Sequence, residues 1–308
     1  MSTNKKVAYL GPSGTFTEQA LRSEPDLAQM DLVEFPKFTD VLKATNAGEC
    51  DLGFVAIENA LEGTVNITLD ALAFDHDLYI QREVELAINL NLMALPGTSL
   101  EDIEVVLSHP VANAQCRNFL DTTLPNASVR PANSTSEGAR RASEKPSRAA
   151  LAPALAAEVH GLNILATNVA DHSENKTRFV LVGKKNIPAA TGHDKTSIVV
   201  TQSQDRPGSL IAILQEFAAR EINLTYLTSR PVKTEAMGNY CFVIDFDGHI
   251  SDSVVKDCLI QIKAKHAEVK FLGSYPNCNV TERTKTETDQ ALQDAQEWLE
   301  QLTYQQYI

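Results

Sequence analysis

Short apolar runs that stop at Gly, Pro or a polar cluster, each followed by a helical stretch, govern the first third of this chain. Residues 7–10 end in Gly11-Pro12-Ser13-Gly14 and lead into a helical pattern over about 17–22. Residues 32–35 lead into a helix over 39–46, and 52–57, a run without a charged or hydroxyl side chain, into one over 65–74. A strand that is apolar on both faces must be covered on both, and a βαβα succession supplies the covering helices. The pattern predicts an α/β fold built on a mainly parallel sheet.

The rhythm changes after residue 78. Residues 80–92 alternate closely enough for long extended strands, read as a crossover into a second α/β lobe covering about 78–160. That lobe is expected to hold strands at 104–108, 128–131 and 149–151, and helices at 111–120, 135–143 and 154–160. Late strands at 162–166 and 178–182 are expected to return to the first lobe. Two lobes joined by extended crossovers leave a cleft between them, a common place for a small ligand. Residues 185–195, rich in Gly, Pro and Ala, read as a linker. A β-α-β-β-α-β pattern then fills 196–276, the ferredoxin-like order, with strands at 196–202, 223–229, 239–246 and 269–275 and helices at 209–219 and 251–264. The tail, 277–308, is polar, with a helical spacing over 286–302 that includes Trp298, the one tryptophan of the chain.

Charge narrows the classes of partner. The 308 residues carry 40 acidic against 27 basic side chains, a formal net charge of −13. That balance disfavours nucleic acid and anionic membrane surfaces, which attract basic patches. No apolar run approaches the roughly 18 residues needed to span a bilayer, and the apolar stretch near the N-terminus is too short for a signal peptide. The five cysteines (Cys50, Cys116, Cys241, Cys258, Cys278) contain no C-x-x-C and are expected as free thiols in a reducing cytosol. The seven histidines show no ligand spacing, so no metal site is expected.

Several polar groups fall at strand ends, where open α/β sheets meet their ligands. The 11–17 loop (Gly-Pro-Ser-Gly-Thr-Phe-Thr) opens a helix. It either holds an anion on its backbone N–H groups or is a tight turn with Thr17 as N-cap. Glu58-Asn59 close the apolar run at 52–57. Ser108-His109-Pro110 close another strand, with Gln115 on the helix that follows. His109 is either an acid–base group or structural, and no triad partner is near it in sequence. Asn175-Lys176-Thr177-Arg178-Phe179 precede a late strand, and Arg178 is a good bidentate carboxylate ligand wherever it faces a cleft. Together these make an amide- and hydroxyl-rich cleft suited to a small anion, in a binding protein or an enzyme alike.

These motifs, in this order, resemble the prephenate dehydratase family from about residue 7 to 276. They are Gly11 to Thr17, Ile57-Glu58-Asn59-Ala60 with Gly63-Thr64-Val65, Ser108-His109-Pro110 with Gln115-Cys116, and Thr177-Arg178-Phe179. The 196–276 segment is similar to an ACT regulatory domain through Arg206-Pro207-Gly208-Ser209-Leu210-Ile211, Ile222-Asn223-Leu224-Thr225, Thr228-Ser229-Arg230-Pro231 and Gly238-Asn239-Tyr240-Cys241-Phe242.

The resemblance implies a catalytic domain over 1–184, similar to type II periplasmic binding proteins, with no fused chorismate mutase. It implies a cytoplasmic carbon–oxygen lyase that turns prephenate into phenylpyruvate, water and carbon dioxide without metal or organic cofactor. It also implies control by L-phenylalanine at the ACT domains of a homodimer or homotetramer. Thr177 is then the residue most tied to catalysis, as donor to the departing ring hydroxyl. Glu58 is the second candidate for supplying the proton, its pKa raised in a closed apolar cleft. Asn59, Ser108 and Gln115 match family positions linked to activity. Thr15, Phe16, Thr17, Arg178 and Phe179 are expected to position substrate. Phenylalanine is expected at Gly208, Ser209, Leu210, Ile211, Asn223, Leu224, Ser229, Arg230 and Pro231. Two ACT motifs depart from the family pattern, at Thr228 and at Ser209, which bears on the strength and sign of the phenylalanine effect; Asn133 is assigned no role. The alternatives are an arogenate dehydratase, which does the same chemistry on the amino-acid analogue, and a non-catalytic amino-acid sensor.

Overall fold

The computed structural model describes residues 5–172, 174–184, 186–202, 206–232, 240–278 and 297. The expected tail helix with Trp298, and Gly238-Asn239, lie outside the described residues.

The first lobe follows the βα rhythm. Its strands are β1 (Lys6–Leu10), β2 (Asp31–Phe35), β3 (Leu52–Asn59), the short β4 (Gly63–Thr64) and β5 (Tyr79–Ala87). Helices α1 (Phe16–Arg22), α2 (Phe38–Ala47) and α3 (Asn66–Asp70) connect them. The second lobe holds β6 (Asn91–Ala94), β7 (Val105–Ser108), β8 (Ser128–Pro131), β9 (Arg148–Ala152) and β10 (Asn163–Ala166). Its helices are α4 (Pro110–Gln115), α5 (Arg117–Thr123), α6 (Thr135–Ala142) and α7 (Ala154–His160). The chain then returns to the first lobe as β11 (Lys176–Gly183).

The first sheet runs β2-β1-β3-β11-β5, and the second β10-β6-β9-β7-β8. Each is only half parallel. β1 pairs in parallel with β2 and β3, whereas β11 runs antiparallel to both β3 and β5. In the second sheet β7 is parallel to β8 and β9, whereas β6 is antiparallel to β9 and β10.

Three boundaries differ from the sequence reading. The extended stretch from residue 79 stays in the first sheet up to Ala87, and the crossover occupies only 88–90. The second lobe therefore begins near residue 91 rather than 78. Residues 163–166 end the second sheet instead of returning, so only β11 goes back. The helix expected over 111–120 is broken at Cys116, which leaves the helical region with φ −116°.

The C-terminal unit has the order β12 (Asp194–Gln202), α8 (Ser209–Ala218), β13 (Leu224–Pro231), β14 (Tyr240–Asp247), α9 (Ser253–Lys265) and β15 (Ala267–Pro276). Its antiparallel sheet runs β13-β14-β12-β15, the ferredoxin-like arrangement. Asp194 and Lys195, read as the end of the linker, are buried residues of β12.

Strand β12 explains how this unit is held. Ile198 and Val200 pack under α8 and α9 with Ile213, Phe217, Phe246 and Ile262. Val199 points to the other face. There Val243, Leu272 and Tyr275 join one continuous core with Val55, Leu72, Ile80 and Val180 of the first lobe. A sheet covered on both faces reads as an unbroken apolar run, which is what 198–200 show. Against β5 the approach is backbone to backbone. Gly273 has φ +148°, and a Cβ there would fall 2.3 Å from the Ile80 carbonyl oxygen. Gly273→Ala is expected to lower stability by more than about 2 kcal/mol, measured as a shift of the urea midpoint.

Candidate functional site

A polar chain of side chains crosses from one lobe to the other beside the crossovers. Asn59, at the end of β3, accepts from the backbone N–H of Leu61 and Glu62 through Oδ1, at 3.0 and 2.9 Å. Its Nδ2 donates to Thr177 Oγ1 at 2.8 Å and to Asn175 Oδ1 at 2.9 Å. Asn175 Nδ2 in turn donates to Gln115 Oε1, at 3.3 Å, on the second lobe. Thr177 and Asn175 are buried and Gln115 is half-buried. The structure thus brings together Asn59, Gln115 and Thr177 of the expected catalytic set. It adds Asn175, which sequence reasoning quoted in a motif but gave no task.

A β-bulge decides which neighbours share this face. In the β3–β11 register Glu58 pairs with Arg178 and Ala56 with Phe179, leaving Ile57 as the extra residue. The insertion re-phases the end of β3. Asn59 lies opposite Thr177, while Glu58 turns to the face of Arg178 and the C-terminal unit. Glu58 is not enclosed in an apolar cleft: its side chain is 38% exposed, with one carboxylate oxygen 3.6 Å from Arg178 Nη1. That position does not fit the expected proton supply.

Arg178 is likewise not a cleft residue. Its guanidinium reaches Glu83 Oε2 at 2.7 Å, Asp245 Oδ2 at 2.8 Å and the Tyr275 hydroxyl at 2.8 Å. Lys195 Nζ closes the cluster on both oxygens of Glu83, at 2.9 Å each. Ser197 Oγ lies 2.6 Å from the Tyr275 hydroxyl. Burial works against the charge of Arg178, but Tyr275, Asp245 and Glu83 outweigh it and hold its pKa well above the ordinary value. Burial, with Asp245 adding, pushes the Tyr275 hydroxyl well above its usual range. Two cations meet two buried carboxylates, and each of the three guanidinium nitrogens of Arg178 donates to a protein oxygen.

Other expected site residues also have structural tasks. Phe179 is buried and stacks on Phe54, with ring centroids 5.3 Å apart, so it is core. Ser108 is fully buried and donates to the Leu151 carbonyl at 2.6 Å, tying β7 to β9. Thr15, not Thr17, is the N-cap of α1, accepting from Glu18 N–H at 3.3 Å. Thr17 is buried beside it. Phe16 packs against the cores of both lobes. Two of the N–H groups that the anion-holding reading of the 11–17 loop would use are taken by the protein itself. The N–H of Gly14 is bound to Glu18 Oε2 at 2.7 Å and that of Ser13 to Glu34 Oε2 at 3.1 Å. The protein's own carboxylates occupy residues 13 and 14 of the loop. His109 caps its own helix, its Nδ1 accepting from Val111 N–H at 3.4 Å.

The loop also fastens the lobes. Ser136 Oγ donates to the Ser13 carbonyl and lies 3.1 Å from His160 Nε2. A Cβ on Gly14 would fall 2.9 Å from that Oγ and 3.2 Å from Ala156 Cα.

In the C-terminal unit, Gly208, at φ +88°, caps α8. Ser209 Oγ closes a turn on Arg206. Ile211, Asn223 and Ser229 are exposed, while Leu210 and Leu224 are half-buried. Pro231 ends the edge strand β13 and is exposed. Arg230 does not face outward with Ser229. It forms a bidentate pair with Asp70 of α3, at 2.8 and 2.9 Å, and Tyr226 meets Thr64 on the same face.

Two α/β lobes with an amide relay between them, followed by a βαββαβ unit docked on the first lobe, define a small-molecule domain joined to a ligand-responsive one. The prephenate dehydratase family model matches residues 7–187 and the ACT domain model residues 196–264. The chain belongs to the prephenate dehydratase family and carries an ACT domain. It is 39% identical to the prephenate dehydratase of Mycolicibacterium vanbaalenii over 311 residues, 96% of this chain and 97% of that one. Its structure is similar to that of the prephenate dehydratase of Arthrobacter aurescens in complex with L-Phe. The TM-score there is 0.84 at 38% identity, covering 97% of this chain and 99% of that one. It is also similar to GqqA, described as a novel type of quorum quenching acylase. That TM-score is 0.79 at 25% identity, covering 89% of this chain and 99% of that one.

Two predictions follow from these contacts. Arg178→Ala strips Asp245 of its buried partner and is expected to cost about 3–5 kcal/mol; adding Asp245→Asn should recover part of that loss in urea denaturation. Burial, with Arg140 adding, holds the His160 pKa below its ordinary value. A depressed folded pKa means the unfolded chain binds the proton more readily. The stability His160 contributes is therefore present above its unfolded pKa, about 6.5, and is lost as pH falls through the folded value. His160→Gln should flatten the fall in Tm between neutral and mildly acidic pH.

Proposed function

We propose that this chain is a carbon–oxygen lyase that converts prephenate to phenylpyruvate, water and carbon dioxide in phenylalanine biosynthesis in the cytoplasm, with L-phenylalanine as effector at the ACT domain. The observation that carries this reading is the hydroxyl of Thr177. Asn59 Nδ2 occupies an acceptor position on Oγ1, and among the described residues nothing accepts the hydroxyl proton. The group is held as a donor.

The chemistry needs just such a donor. In prephenate the ring carboxylate leaves as carbon dioxide, and the electron pair of the broken C–C bond enters the ring. The pair of the opposite C–O bond leaves with oxygen as hydroxide, which takes up a proton from solvent to become water. Aromatisation drives the step, and it consumes no oxidant. Thr177 O–H donates to the departing oxygen as negative charge builds on it, and a preorganised donor lowers the barrier most at that moment. Gln115, across the cleft, is placed to hold an oxygen of the substrate.

The regulatory half rests on the ACT domain and on the L-Phe complex described for the Arthrobacter aurescens relative. Phenylalanine would lie near Gly208 to Ile211, the exposed Asn223 and Ser229, and the half-buried Leu224. Arg230 is committed to Asp70 and is withdrawn from that set. The exposed edge strand β13 and Ile211, 61% exposed, suit pairing with a second copy, giving a dimer or a tetramer. Acyl transfer finds no comparable support. Ser136, though 3.1 Å from His160 Nε2, is fully buried and spends its proton on the Ser13 carbonyl.

The test is phenylpyruvate formation from prephenate at neutral pH by the full chain, with and without L-phenylalanine. Thr177→Ala should lower kcat by about 100-fold or more while Thr177→Ser retains most of it. Undiminished turnover in Thr177→Ala would remove the assignment. Turnover on arogenate alone would favour the amino-acid substrate, and none on either, with phenylalanine still bound, a sensor.

A further inference from the structure

The relay has a direction, and two backbone amides set it. The N–H groups of Leu61 and Glu62 can only donate, so the Asn59 atom facing them at 3.0 and 2.9 Å must be the carbonyl oxygen. Its NH2 group must then face Thr177, Asn175 and the Lys176 carbonyl, the last at 3.2 Å. The Asn175 atom that receives it is therefore Oδ1, which turns Asn175 Nδ2 toward Gln115 and makes the Gln115 atom there Oε1. The consequence appears at both ends. Thr177 keeps its hydroxyl proton, Gln115 keeps both protons of Nε2, and neither has an acceptor among the described residues. A chain of amides held in the opposite sense would present acceptors instead.

From this geometry, and resting on the dehydratase reading above, we infer that Asn175 is a positioning residue that transmits this polarity between the lobes, so that both face the dianionic substrate with hydrogen-bond donors. Its placement suits the task. It is buried, 3% exposed, just ahead of β11, and its carbonyl accepts from Ile88 N–H at 2.8 Å in the opposite crossover. The backbone of Gln115 is fixed on the same side by Asp171 N–H, at 2.7 Å. Asn175 touches no reacting atom. It orients Gln115 directly, and it shares the holding of Asn59, and so of Thr177, with the Leu61 and Glu62 N–H groups and the Lys176 carbonyl.

The experiment combines kinetics with side-chain amide spectroscopy on the full chain. Asn175→Ala should lower kcat by about tenfold or more and also raise KM, because the bond to Gln115 is lost with it. In a Thr177→Ala background it should cost less than about twofold further, because it acts through that hydroxyl. Asn175→Asp keeps the acceptor for Asn59 but can no longer donate to Gln115. It should restore most of kcat and leave a raised KM. In asparagine-labelled protein the Asn59 side-chain NH2 should be protected from solvent exchange in the parent and less protected in Asn175→Ala, where the Lys176 carbonyl and Thr177 still accept from it. Unchanged kcat in Asn175→Ala, or full multiplication with Thr177→Ala, overturns the inference. So does unchanged amide protection, which can be read even if the parent turns over neither prephenate nor arogenate. Failure of the dehydratase reading shows separately, as absence of turnover in the parent.

Discussion

The buried cluster of Arg178, Glu83, Lys195 and Asp245 is the constraint around which the molecule is arranged. It joins β11 and β5 of the first lobe to β12 and β14 of the ACT sheet. Buried ion pairs add little net stability, because desolvation offsets most of the attraction. What they supply is intolerance of misplacement: a small shift of the ACT sheet would leave a charge buried and unpaired. The apolar core around Val199, Val243 and Leu272 provides the attraction between the two units, and the cluster fixes where they meet. Arg230 with Asp70 and Lys270 with the carbonyls of Ala73 and His76 extend the same contact along the edges.

The cluster lies one residue from Thr177. Successive side chains on a strand point to opposite faces, so β11 shows Thr177 to the relay and Arg178 to the ACT sheet. A displacement of the ACT sheet that pulls on Arg178 would therefore turn or shift the strand that carries the hydroxyl. Coupling between two sites requires a structural element whose position both can bias, and β11 carries a residue of each. The 11–14 loop gives the lobes a second attachment, at Gly14 and Ser136, away from this strand.

Much of this was legible from residues alone. The apolar run at 52–57, the turn at 11–14 and the βαββαβ order are local signals, set by side-chain period and turn chemistry, and the elements formed close to where the pattern put them. Asn59, Gln115 and Thr177 could be picked out as polar groups at strand and helix ends. The parallel character was overread, because β11 and β5 enter the sheet from the far side of a lobe and no local pattern reports their direction. Asn175 went without a task because an asparagine ahead of a strand looks like any turn residue until its partners at 59 and 115 are known. Arg178 and Glu58 misled for the opposite reason: a charged pair near a cleft motif invites a substrate, yet each has a carboxylate or guanidinium of the protein for company.

The sequence by itself determined the elements, the two-part organisation and the family motifs, because each depends on residues within a turn or two of one another. Only the tertiary structure decided which face each functional side chain took. The extra residue at Ile57 turned Glu58 away from Thr177, and the docking of β12 and β15 supplied the partners that claimed Arg178. A one-residue change of register inverts every side chain beyond it. That inversion is settled by strand pairing across more than a hundred residues of chain, where local preference carries no information.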